Sequence, residues 1–135
     1  FQNGAMGVYE ATRFAPGRRN FNTFEINGEK GSIAFNFERM NELEYFDASD
    51  KADRQGFRTI NVNENGQPYA GNYWPAGHGI GYGETFVNTV ADLLQAHHTG
   101  GETQPNFRDG AYNNLVLETI VNASESRKWE EIPSF

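Results

Sequence analysis

The stretch Phe21–Phe37, FNTFEINGEKGSIAFNF, decides the fold. Asn22, Phe24 and Ile26 alternate with Phe21, Thr23 and Glu25, the two-residue period of a strand. Asn27-Gly28-Glu29-Lys30-Gly31 has turn chemistry. Ile33, Phe35 and Phe37 then face one way, with Ser32, Ala34 and Asn36 opposite. Two alternating runs across a short glycine turn predict a hairpin, with strands near 21–27 and 32–37.

Working outward, Glu42–Asp47 reads as a shorter strand. Asp50–Gln55 is charged and reads as a loop. Phe57–Val62 is a further strand, with Ile60 and Val62 on one side, and Asn63–Pro68 ends it in a turn. Upstream, Asn3-Gly4 is a tight-turn dipeptide. Met6, Val8, Glu10 and Thr12 then alternate with Gly7, Tyr9, Ala11 and Arg13, which predicts a strand within residues 1–14. Residues 15–20 are a loop whose Arg18 and Arg19 suit a solvated surface better than an anion site.

After residue 84 the period changes. Phe86, Val87, Val90, Leu93 and Leu94 have the i, i+3, i+4 spacing of an amphipathic helix over 85–98, started by Glu84 or Thr85 and ended by Thr99-Gly100-Gly101. Asp109 is read as the N-cap of a second helix, 110–127, with a wide apolar face from Tyr112 to Ala123 that predicts the more buried helix of the two. Trp129, Ile132 and Phe135 suggest a last short strand or an extended tail. Strands first and helices afterwards is the α+β order. The expected architecture is one domain, residues 1–135: an open, mainly antiparallel sheet with two C-terminal helices on one face. Apolar residues on both sides of the strands suggest that the other face is used for oligomerisation.

Composition narrows the function classes. A chain of 135 residues suffices for a core of useful size. Its formal charge of −7 argues against nucleic acid or an anionic membrane as main partner. There is no cysteine, hence no disulfide, zinc-thiolate site or thiol nucleophile, which fits a reducing, cytoplasmic setting. No apolar run has the length of a membrane span. The chain opens with Phe1 inside a strand-like pattern, which suggests a piece of a longer protein.

The stretch richest in chemistry is Trp74–Phe86, WPAGHGIGYGETF. Glycines at 77, 79, 81 and 83 allow tight backbone shapes and close approach of a second group. The run is not a GxGxxG fingerprint, and P-loop, HExxH and GxSxG motifs are absent. His78 stands in this loop as a candidate acid/base or hydroxyl partner. Tyr82, Tyr73 and Trp74 supply faces for a C–H-rich, sugar-like ligand. Arg13 suits an anion or hydroxyl, although an ion pair with Glu10 or Glu25 explains it as well. His97 and His98 sit side by side at a helix end, where they complement the dipole. The lack of a nucleophile–base–acid set counts against a hydrolase centred on His78.

The ordered set of segments resembles the C-terminal domain of the Gfo/Idh/MocA oxidoreductases. Asn3–Phe14 is similar to its first long strand, and Phe24–Ile33 to its "EI-G-KGS" hairpin. Gly81–Phe86 followed by Val90–Leu94 is similar to its first late helix. Pro105–Gly110 followed by Val116-Leu117-Glu118 resembles its entry to the last helix, and Trp129 before Ile132 its close. The resemblance covers nearly the whole chain. It implies a parent enzyme that uses NAD or NADP to oxidise or reduce a sugar, polyol or related small molecule. The cofactor then lies on an N-terminal Rossmann domain, and this chain supplies the substrate-binding and oligomerising half. That Rossmann domain and its catalytic lysine and histidine lie outside the present sequence, so no catalytic or cofactor-binding residue and no metal ligand is assigned here. The resemblance places His78 and Tyr82 in a substrate-facing loop and Arg13 on a strand near it, and Trp74 joins them as a stacking wall. The alternative is a stand-alone binding or scaffold module of the same fold.

Overall fold

The computed structural model describes residues 1–134. The chain divides into two compact units, Phe1–Gly81 and Tyr82–Phe135.

The first unit carries a four-stranded antiparallel sheet in the order β1-β2-β3-β4, formed by Thr23–Gly28, Gly31–Asn36, Glu42–Asp47 and Arg58–Asn61. The hairpin is present as expected, closed by the pair Gly28↔Gly31. A Cβ on Gly31 would collide with the carbonyl oxygen of Phe46 on the neighbouring strand, so the glycine there is a packing requirement. The later strands also lie where their alternation puts them.

Directly paired residues share a face of the sheet. Phe24, Phe35, Leu43 and Ile60 form one cross-strand row, and Ile26, Ile33, Tyr45 and Arg58 the next. Phe24 and Phe35 stack with ring centroids 5.5 Å apart, and the Arg58 guanidinium lies 5.5 Å from the Tyr45 ring centre. The opposite face carries Thr23, Glu25, Asn27, Ser32, Ala34, Asn36, Glu44 and Thr59, with Phe46 as its large apolar member. The expectation of two apolar faces is therefore corrected. The register gathers the hydrophobic residues on one side, because a period of two fixes the face of every side chain once the hairpin is set.

Two carboxylates tie down the loops of this unit. The Arg19 backbone N–H donates to Glu38 at 2.8 Å, and Arg18 forms an ion pair with the same carboxylate at 3.3 Å. These contacts hold the Glu38 carboxyl below its usual range, the backbone donor contributing most. Asp47 is lowered likewise, first by the Ser49 hydroxyl at 2.6 Å and then by the Ser49 N–H at 2.8 Å. Further ion pairs join Arg39 to Glu42 and Arg58 to Asp50.

Residues 1–14 depart from expectation. Asn3-Gly4 does form its turn, with Gly4 at φ 83° and its N–H donating to the Phe1 carbonyl at 2.9 Å. The rest of the segment has no regular structure, and Met6, Val8 and Phe14 are more than nine-tenths exposed. Alternation states only that a segment suits a sheet; a strand forms when a neighbour accepts and donates its ladder bonds. Among the described residues no strand pairs with this segment.

The second unit holds two helices, α1 (Tyr82–Thr99) and α2 (Phe107–Ser126). Sheet and helices together confirm the α+β class. Helix α1 begins at Tyr82, earlier than expected. The Thr85 hydroxyl donates back to the Tyr82 carbonyl at 2.6 Å, so it acts inside the first turn rather than as a cap. At the other end Gly100 takes φ 69° and the Gly101 N–H reaches the Ala96 carbonyl at 2.9 Å, the expected left-handed stop. In α2 the cap is corrected from Asp109 to Asn106. The Asn106 side chain accepts from the N–H groups of Arg108 and Asp109, and the Asp109 carboxylate accepts from the Asn106 N–H at 2.8 Å. This reciprocal capping box places the acid at the third helical position.

The apolar stripe of α1 is uncovered: Phe86, Val87, Val90, Leu93 and Leu94 are each more than half exposed. The less exposed positions are Glu84, Thr85, Asn88 and Ala96. In α2 the less exposed positions are Ala111, Leu115, Val116, Thr119 and Ala123, while Leu117, Ile120 and Val121 are exposed. Thr119 is buried and its hydroxyl is satisfied by the Leu115 carbonyl at 2.8 Å. Of the wide face predicted for α2, Leu115, Val116 and Ala123 are thus its less exposed members, joined by Ala111 and Thr119. No strand forms at Trp129–Ile132; the tail after α2 is irregular, and Phe135 lies outside the described residues. No described helix is long and apolar enough to cross a membrane.

Candidate functional site

The glycine-rich loop is built up from the end of the sheet. Asn41 immediately precedes β3, and Asn63 follows β4 by two residues. The antiparallel pairing brings these positions to the same end of the sheet, where the Val62 N–H donates to the Asn41 carbonyl at 2.9 Å.

From there both asparagines reach the loop. The Asn41 amide donates to the Ile80 carbonyl at 2.9 Å, and its Oδ1 accepts from the Ile80 N–H at 2.8 Å. The Asn63 amide donates to the His78 carbonyl at 3.0 Å, and the Asn63 backbone carbonyl accepts from the Gly77 N–H at 3.3 Å. Gly77 holds φ 82°, where a side chain would be strained. Further back, Tyr69 takes φ 64°, rare for an aromatic residue, next to Ala70, which is 4% exposed. The loop is therefore an ordered element pinned at several backbone atoms.

Within it, His78 folds back on its own turn. Its N–H donates to the Pro75 carbonyl at 3.2 Å, and its ring Nδ1 lies 2.8 Å from the same oxygen. A carbonyl oxygen only accepts, so Nδ1 carries the proton in this contact. In the neutral ring Nε2 is then the acceptor, the nitrogen able to receive a proton from a ligand O–H. The side chain itself is exposed.

The other predicted site residues are placed as follows. Trp74 is exposed in the same loop, four residues before His78. Tyr82 opens α1 in the second unit, and its ring meets Phe86 edge-on with centroids 5.1 Å apart. Arg13 lies in the irregular N-terminal segment, and among the described residues no ion pair includes it, Glu10 and Glu25 included. Among the described residues no hydrogen bond or ion pair joins Arg13, Trp74 and His78 to one another. A shallow concavity of about 270 Å³ lies elsewhere, on the polar face of the sheet, against Thr23, Glu25, Ala34, Arg39 and Glu44. It contains none of the predicted site residues. No group of three or more metal-ligating side chains among the described residues is arranged to hold a metal ion.

Sequence reasoning missed Asn41 and Asn63. Asn63 stood only as the start of a turn, and Asn41 carried no signal, its partner being 39 residues away.

No protein-family model matches the chain. Over 134 residues it is 46% identical to the levoglucosan dehydrogenase of Pseudarthrobacter phenanthrenivorans, covering 98% of the chain and 34% of that enzyme. The structure of a levoglucosan dehydrogenase in complex with NADH and levoglucosan matches with a TM-score of 0.94 at 45% identity, over 100% of this chain and 37% of that one. An NAD-binding oxidoreductase from Klebsiella pneumoniae matches with a TM-score of 0.90 at 32% identity, over 100% of this chain and 36% of that one. The chain thus spans about a third of the length of the proteins it matches. These similarities, in sequence and in fold, support its assignment as a C-terminal segment of a Gfo/Idh/MocA-type oxidoreductase.

Proposed function

We propose that this chain is the substrate-binding and oligomerising domain of an NAD(P)-dependent, cytoplasmic oxidoreductase that acts on a sugar, polyol or related small molecule. The observation that carries the reading is the match, along the whole chain, to a dehydrogenase whose structure holds both NADH and levoglucosan. The division of labour is what the resemblance to the Gfo/Idh/MocA oxidoreductases implies. In that family the dinucleotide lies on an N-terminal Rossmann domain, and the present sequence has no GxGxxG turn of its own. Hydride transfer takes place there, on the cofactor.

What this chain contributes is shape and polar contacts for the sugar. His78 accepts a hydrogen bond from a substrate hydroxyl at Nε2, the nitrogen left open by its contact with Pro75. The Tyr82 hydroxyl makes a second polar contact, Trp74 offers a stacking wall, and Arg13 binds a further oxygen. The uncovered apolar stripe of α1 supports the same reading, since a soluble protein rarely leaves so much apolar surface without a covering partner. The self-association we assign to the sheet would bury on the order of 2,000 Å² or more.

Calorimetric titration of the 135-residue chain with NAD and NADP is expected to give no saturable heat, whereas the longer protein binds one of them. Saturable binding to this chain alone overturns the division of roles. Sedimentation equilibrium of the longer protein at micromolar concentration is expected to report a dimer or tetramer; a monomer contradicts the oligomerising role.

A further inference from the structure

We propose that Asn41 is a positioning residue for the substrate loop, acting as a side-chain substitute for one more strand of the sheet. The inference rests on the reading of that loop as substrate-facing. Its physical basis is independent of it. A backbone segment docks beside a strand by exchanging an N–H donor and a C=O acceptor. Asn41 does the same with its carboxamide: Nδ2 donates to the Ile80 carbonyl at 2.9 Å and Oδ1 accepts from the Ile80 N–H at 2.8 Å.

Both bonds fall on one residue, so they fix the peptide planes on either side of Ile80 as well as its distance from the sheet. Asn41 and Ile80 are both partly buried, which limits competition from water. Asn63 supplies the second anchor at the His78 carbonyl, 3.0 Å away. Two anchors two residues apart leave the intervening Gly79 little freedom, although a Cβ there would meet nothing within 4 Å. Fixing the carbonyls of His78 and Ile80 fixes the direction in which the His78 ring leaves the loop. Among side chains of this size only the carboxamide carries a donor and an acceptor on two separate atoms, as this paired contact requires; aspartate loses the donor and leucine both.

The test uses the longer protein and the variants Asn41→Ala, Asn41→Asp and His78→Ala. Hydrogen exchange of residues 75–81 is followed alongside sugar kinetics at saturating cofactor. Asn41→Ala is expected to speed exchange in that loop, leave exchange in β1–β3 unchanged, and lower kcat/KM for the sugar roughly 5- to 100-fold per folded molecule, the range for an unpaired polar group or a small misplacement. The cofactor's dissociation constant stays as in the parent protein. Asn41→Asp keeps the acceptor and the side-chain shape but sets a carboxylate oxygen against the Ile80 carbonyl, and is expected to loosen the loop and lower kcat/KM at least as much as Asn41→Ala. Should Asn41→Ala fold poorly, Asn41→Asp carries the test by the same readouts. Loop exchange as slow as in the parent, or a loosened loop with unchanged sugar kinetics, overturns the proposal. In the second event His78→Ala locates the failure. Unchanged kinetics there too puts it in the substrate-loop reading, and lost kinetics puts it in the role given to Asn41.

Discussion

The sheet and the two helices satisfy their side chains in opposite ways. On the apolar face of the sheet, residues meet across strand pairs: Phe24 with Phe35, Ile26 with Ile33, Leu43 with Ile60. The contacts come with the backbone ladder and lie within about 40 residues of chain. In the helices the backbone is equally complete, with a capping box at Asn106 and a glycine stop at Gly100. Yet the apolar stripe of α1 is open, each of its five members more than half exposed. A strand acquires its neighbours in making its hydrogen bonds. A helix makes its bonds alone and leaves its stripe for whatever packs there. The sheet's apolar contacts are thus internal to its ladder, although Phe24 and Ile26 at its edge are still 46% and 58% exposed, whereas the stripe of α1 has no such cross-strand neighbours.

The comparison breaks most sharply on the stripe. Leu94→Ala removes a side chain that is 62% exposed in this chain. In the 135-residue chain the change is expected to cost less than about 0.5 kcal/mol, the ordinary range for exposed positions. In the longer protein, with the stripe covered, the same change is expected to cost about 2–4 kcal/mol. Denaturant unfolding of both forms reads the difference. Equal, small effects would mean that the stripe is exposed in the longer protein as well.

A somewhat smaller effect sharpens the other side. Gly31→Ala places a methyl group against the Phe46 carbonyl, a backbone atom that cannot turn aside. The expected loss is about 1–3 kcal/mol, and it should be similar in the short chain and the longer protein, because the clash is internal to the sheet. A loss that appears only in the longer protein would show that the sheet, too, depends on outside contacts.

The same contrast explains how much was readable in advance. The hairpin, the two later strands and both helices follow from local periodicity because each strand pairs with its neighbour in sequence and each helix bonds within itself. Residues 1–14 have a strand's pattern without a strand's partner, so the pattern misled. Asp109 has the chemistry of a cap, but Asn106 three residues earlier completes a box with it, and only geometry decides between them. The two-faced sheet was misjudged because Phe21 lies outside β1. Of the candidate site, the glycine loop and His78 stood out by composition. Its anchors did not, since an asparagine's reach across 39 residues leaves no periodic trace.

The central claim is that the Trp74–Tyr82 stretch serves the sugar and not the cofactor. Its most direct test is steady-state kinetics of Tyr82→Phe in the longer protein, with cofactor affinity and thermal melting measured on the same samples. Removing one hydroxyl from a substrate contact is expected to lower kcat/KM for the sugar by about 1–3 kcal/mol in barrier terms, with the cofactor's dissociation constant and the melting temperature unchanged. Unchanged kcat/KM per folded molecule together with a lowered melting temperature would contradict the account and make the stretch a structural connector.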